Sequence, residues 1–281
     1  MRWATPLIFV GAAGAVATFL PATVGERDAL VLVLGLLGVM VVLSDLIELS
    51  FGRVFTPLSH LWCFVIAPGT ILHELGHYFA CKLVGLEVLR VRLFEPNPRT
   101  RQLGYVSFKM PAGDARWSVL QGLVVAFAPF VSGSLALFLL VGLLLPSGLW
   151  PELELSRFDR FGGDLGLLID HLRRGVVRPG RLGSWRWLVL YGVLVVGSGA
   201  APSTTDFLIP LRHGARRLKA SLTALVVLGG ASILLMRWPL ALHKVASVLA
   251  IAACCQVASL LVSLALRAAR ELLRRGLGDR R

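Results

Sequence analysis

The amino-acid sequence predicts an all-α polytopic membrane protein of about seven transmembrane helices, carrying one small membrane-associated β-hairpin. Of its 281 residues, 56% are hydrophobic and only 16% are charged, against about 25% charged in ordinary soluble domains. Mean hydropathy is +0.75. Uncharged apolar runs recur from end to end, many of them near the length of about 20 residues that a bilayer requires.

The candidate spans are 5–24, 29–49, 57–85, 117–146, 186–210, 219–237 and 240–267. The first opens with Arg2 like a signal peptide. Its end, Pro21-Ala22-Thr23-Val24-Gly25, has no clear A-x-A cleavage site, so it reads as a retained helix. Only Trp238-Pro239 separates the last two spans. Segment 86–116 is mixed and basic. Within it, Val88–Phe94 and Gly104–Met110 alternate as strands do and flank Pro96-Asn97-Pro98, which predicts a hairpin with a longer loop. Segment 147–185 is charged and reads as an extracytoplasmic loop. The chain thus divides into N-terminal helices (1–56), a core (57–210) and a C-terminal helical pair with a basic tail (211–281).

The formal net charge of +13 is better explained by loops facing anionic lipid than by nucleic acid. Arg267, Arg270, Arg274, Arg275, Arg280 and Arg281 place the C-terminus inside, and counting spans back places the N-terminus outside. Trp62, Trp117, Trp185 and Trp187 fall near span ends, where interfacial anchors belong. Cys63, Cys81, Cys254 and Cys255 all lie in apolar segments, without a C-x-x-C, and read as buried packing residues.

The third span holds Ile71-Leu72-His73-Glu74-Leu75-Gly76-His77-Tyr78, an H-E-x-x-H. On a helix, positions i and i+4 share a face, so His73 and His77 can direct imidazoles at one zinc ion. Glu74, one position round, is free to act as general base on a water at the metal and to protonate a leaving amine. Chance occurrence of the motif with six His is on the order of a few per thousand. A carboxylate inside an apolar helix also costs about 2.5–3.5 kcal/mol to insert, which itself marks a functional position.

A catalytic zinc takes three protein ligands and keeps one position open. The fifth span offers Gly197-Ser198-Gly199-Ala200-Ala201-Pro202-Ser203-Thr204-Thr205-Asp206. There Asp206 is the acidic candidate, and Pro202 with its small neighbours predicts a helix break and close helix approach. Ser203, Thr204 and Thr205 could support Asp206 or a metal-held water, or simply cap a helix end. Cys81 shares the face of His77 but lies about 12 Å along the axis from His73, too far for one ion. His60 reads as a boundary residue.

These residues resemble the site-2 protease family of intramembrane zinc metallopeptidases. The likeness rests on His-Glu-Leu-Gly-His in one span, Asp206 in a later one, and Phe127-Ala128-Pro129-Phe130-Val131-Ser132-Gly133, which is similar to the family's A-G-P-x-x-N segment. It implies His73, His77 and Asp206 as ligands of one zinc ion, Glu74 as catalytic acid/base, and a membrane-spanning protein as substrate. Three features depart from the family, one being that segment 147–185 lies where some members carry a PDZ domain but is too short for one. Asp206 lacks the usual preceding Asn and following Gly, and Ser132 stands where Asn is common for substrate positioning. A metal-holding scaffold without turnover and, less well supported, a zinc transporter are the alternatives. An edge of the hairpin could pair with an unwound substrate segment, or the hairpin could serve packing alone.

Overall fold

The computed structural model describes residues 24–50, 57–97, 102–110, 115–144, 184–201, 203, 204, 206 and 238–278, together with the isolated positions 11, 163, 164, 166, 167 and 170. Five long helices and one hairpin make up the described fold: α1 (Val24–Ser50), α2 (Pro57–Leu83), β1 (Glu87–Arg92), β2 (Tyr105–Lys109), α3 (Ala115–Leu144), α4 (Ser184–Gly199) and α5 (Pro239–Gly278).

Seven spans are not supported. Among the described residues, three helical stretches are long and apolar enough to cross a membrane: Arg27–Ser50, Ser118–Leu144 and Ala241–Leu272. The expected spans at 5–24 and 219–237 lie outside the described residues, as does most of the expected loop 147–185. The span expected at 57–85 does form a helix, α2, of 27 residues, and its shortfall is in apolarity. His73, Glu74, His77 and Lys82 dilute its second half. The span expected at 186–210 stops as a helix of 16 residues at Gly199, because the chain bends at Ala200 and Ala201.

The helices pack as one bundle. The most extensive contact is between α1 and α5, and α4 touches α2, α3 and α5. One apolar cluster unites Leu30, Met40 and Val41 of α1 with Leu137 and Val141 of α3 and Leu242 and Leu249 of α5. Leu61, Phe79, Leu135, Leu139, Leu188 and Leu261 are exposed instead. Outward apolar side chains are what a lipid-facing surface requires, since lipid exacts no cost for them.

The hairpin's position follows from how α2 ends. Gly85 has φ +75°, the left-handed conformation that glycine adopts without a Cβ clash. Leu86 N–H donates to Cys81 O at 2.8 Å and Gly85 N–H to Lys82 O at 3.3 Å, the bond pair that closes a helix and turns the chain sharply. The expected strands 88–94 and 104–110 are realised as Glu87–Arg92 and Tyr105–Lys109, paired antiparallel with a bulge between Val88 and Arg90. Val88, Val106 and Phe108 pack on a buried cluster of Ala80, Cys81, Leu86 and Val125, which seats the hairpin against α2 and α3.

Two glycines let α2 and α4 meet backbone to backbone. A Cβ on Gly199 would lie 2.7 Å from Gly69 O, and one on Gly69 would collide with Val195 O. Such proximity fixes α4 where its final carbonyls overlook the histidines. Gly69→Ala is therefore expected to destabilise the bundle by about 1–3 kcal/mol through overpacking. Denaturant titration in detergent measures this, and an unchanged midpoint would contradict the close contact.

Candidate metal centre

His73 and His77 lie one turn apart on α2, with ring centroids 4.9 Å apart in an edge-on arrangement. Their Nδ1 atoms point away from each other, to two other helices. His73 Nδ1 is 2.9 Å from Gly199 O, and His77 Nδ1 is 2.8 Å from Val125 O. A carbonyl oxygen only accepts, so each Nδ1 carries the hydrogen and each Nε2 keeps its lone pair. The two imidazoles are held in one tautomer and one orientation, as metal-ligating histidines usually are.

Both carbonyls are available because a helix has been interrupted. Within α3, Val125 O would ordinarily accept from the N–H of residue 129, but that residue is Pro129, inside the helix, and proline has no N–H. Gly199 ends α4, and the last four carbonyls of a helix have no intrahelical donor. A proline in one helix and a terminus in another thus leave two acceptors for two histidines. Within the bilayer a bare carbonyl would cost several kcal/mol, so the pairing satisfies backbone and imidazole together.

Asp206 enters on the turn that follows the break. Ser203 N–H donates to Asp206 Oδ2 at 2.6 Å, and Ser203 Oγ lies 3.1 Å from the same oxygen. Thr204 and Asp206 are already helical, so Ser203-x-x-Asp206 is a capping box in which the carboxylate reaches back to the cap residue's N–H. Capping and support of Asp206, separate alternatives in the sequence, are the same contact at Ser203. Thr204 turns elsewhere: its hydroxyl donates to Asp45 Oδ2 of α1 at 2.6 Å and its N–H to Asp45 Oδ1 at 3.3 Å. Thr205 and Pro202 lie outside the described residues.

The three side chains expected as ligands come together. His77 Nε2 is 3.2 Å from Asp206 Oδ1 and His73 Nε2 is 3.6 Å from Asp206 Oδ2. One donor atom from each lies within 4.8 Å of the others. Tetrahedral bonds of about 2.0–2.2 Å place neighbouring donors roughly 3.3–3.6 Å apart. Donor chemistry and spacing therefore fit one metal ion, with a fourth position left over.

Glu74 is 7% exposed and lines a cavity of about 420 Å³ together with His73, His77 and Asp206. That volume is within the range of sites that take a ligand, about 300–1,000 Å³. The roof is the hairpin: Gln102, Leu103, Gly104, Tyr105, Val106 and Phe108 all line it. A Cβ on Gly104 would lie 2.9 Å from Glu74 Cγ and 2.7 Å from Leu93 O, so only glycine lets the hairpin close over the carboxylate. The wall from α1 includes Ser44 and Glu48. Sequence reasoning passed over this acidic helix end, although Asp45 and Glu48 within an apolar run carried the same signal that singled out Glu74. From α5, Ser259 reaches the cavity. Its hydroxyl, that of Ser263 and both side-chain polar atoms of Gln256 are buried without a hydrogen-bond partner among the described residues, forming a polar seam on one face of α5.

Other expected positions fall outside the donor set. Ser132 Oγ bonds back to Pro129 O at 3.2 Å and rests against Gly76, on the α2–α3 contact behind the motif. Cys81 is fully buried in an apolar cluster, as packing requires. His60 is exposed at the start of α2.

Comparison of the chain with protein-family models, with curated proteins and with solved structures finds no match. Pro129→Ala restores an N–H that competes with His77 for Val125 O. The expected result is a fold at least as stable as before with affinity for a divalent metal ion lowered about 10-fold or more, in line with losses on removing an imidazole's partner. Competition with a chromophoric chelator measures it, and unchanged affinity would show that the freed carbonyl does not matter.

Proposed function

We propose that the chain is an intramembrane zinc metallopeptidase, similar to the site-2 proteases, that hydrolyses peptide bonds of membrane-spanning protein substrates. The observation carrying this reading is a buried carboxylate, Glu74, beside a three-donor cage whose spacing suits a tetrahedral ion and leaves one position spare. Two imidazoles of fixed tautomer and one carboxylate form a common catalytic zinc set. A bound zinc ion would supply Lewis-acid polarisation of the scissile carbonyl and acidify water at neutral pH.

The remaining chemistry belongs to the chain. Glu74 lies next to His73 in sequence and outside the donor set, where it takes the proton of the attacking water and delivers it to the leaving amine. Glu74 and His77 are both buried, and the lower local dielectric of a buried place strengthens each electrostatic interaction there.

A helical substrate hides its peptide bonds, so one segment must unwind. β2 pairs with β1 along one edge, and its other edge has no strand partner among the described residues. Because β2 also roofs the cavity, an unwound substrate segment adding to that edge would lie over Glu74 and the donor cage.

Purified protein is expected to hold one zinc ion per chain and to cleave a membrane-spanning test substrate. Glu74→Gln should retain zinc and lose about 10²–10⁴-fold in rate, the range for a general acid/base. Zinc-loaded protein that cleaves nothing would leave a metal-holding scaffold, and zinc flux into vesicles would indicate a transporter. Val106→Pro removes a strand N–H and should abolish cleavage with zinc content intact; full activity in that variant would exclude strand addition.

A further inference from the structure

We propose that Asp45 of α1 is a positioning residue for the metal ligand Asp206, acting through Thr204. This rests on the reading of His73, His77 and Asp206 as a metal cage. It does not depend on whether the cage catalyses hydrolysis.

The turn carrying Asp206 begins a helix immediately after a break, so its first N–H groups have no intrahelical acceptor. Ser203 N–H is taken by Asp206 itself. Thr204 N–H is taken by Asp45, which also receives the Thr204 hydroxyl at 2.6 Å. Both oxygens of Asp45 are thereby engaged by one residue, a two-point grip that a single bond would not give. Thr204 is 3% exposed, so water has little room to replace the grip. With Asp206 Oδ2 held by Ser203 and the turn held by Asp45, Oδ1 is left directed at His77 Nε2.

The consequence is that α1, which contributes no metal donor, sets the orientation of one. Loosening the grip lets the turn rotate and spreads the carboxylate over several directions, and metal affinity falls because an ion must then reorder it.

The test uses the full chain in detergent with zinc alone as the probe. Zinc affinity of Asp45→Ala and of the isosteric Thr204→Val is expected to fall about 10–100-fold. Thr204→Ser, which keeps the hydroxyl, should stay close to wild type. The double variant Asp45→Ala/Thr204→Val should lose no more than Asp45→Ala alone, since removing the carboxylate already breaks both bonds of the grip. Cobalt-loaded Asp45→Ala should show an altered visible spectrum, a change of ligand geometry that a merely structural role would not produce. Asp28→Asn, at the far end of α1, is the control for general damage to the helix. If Asp45→Ala does not fold, Thr204→Val and Thr204→Ser carry the comparison. Wild-type affinity and spectrum in Asp45→Ala or Thr204→Val, or losses that simply add in the double variant, would overturn the proposal. Protein that binds zinc but cleaves nothing sinks the hydrolase and leaves this inference standing; wild-type protein that binds no divalent ion sinks both.

Discussion

The centre depends on two backbone carbonyls that their own helices do not use. Val125 O lacks its donor because Pro129 has no N–H, and Gly199 O lacks one because α4 ends there. Each accepts an imidazole N–H at 2.8–2.9 Å, which leaves both Nε2 lone pairs facing Asp206. An interior proline costs a helix about 3 kcal/mol or more, whereas a hydrogen bond returns only about 0.5–1.5 kcal/mol net. Stability alone does not account for Pro129. Local cost held in place by surrounding packing is typical of functional sites.

The same economy of backbone governs the packing. Irregular chain at membrane depth is tolerated only where protein or a polar cavity satisfies it. The break after Gly199 meets that condition on every side. Gly69 brings α2 into backbone contact with α4, Gly199 O takes His73, Ser203 caps the renewed helix, and Asp45 binds Thr204. A break in an apolar helix is thus converted into a fixed carboxylate beside two fixed imidazoles.

The hairpin is joined to this arrangement through a second close approach. Gly85 turns the chain off the end of α2, and the cluster of Cys81, Leu86, Val106 and Phe108 holds the strands down. Gly104 then admits the hairpin against Glu74. The element that roofs the cavity and the helix that carries the motif are consecutive in sequence, so their relative placement needs only one tight turn. The α1 wall is different in kind, since it reaches the site only through the folding of the whole bundle.

Local spacing determined much of this protein. Residues four apart share a helix face, so His73, His77 and the position of Glu74 were legible in the sequence. So were the two strands and the helix break before Asp206. The number of spans was not, because hydropathy scores a run of residues without knowing where the helix stops. The run at 186–210 reads through a bend at Ala200 and Ala201 that packing against Gly69 and Gly133 accommodates. Only the tertiary structure decided which groups complete the site. The carbonyls that orient His73 and His77 come from 126 and 48 residues away, and Thr204 meets Asp45 across 159. Periodicity reports which side chains share a face, whereas contacts at such separation arise only when whole helices pack, and no spacing along the chain encodes them.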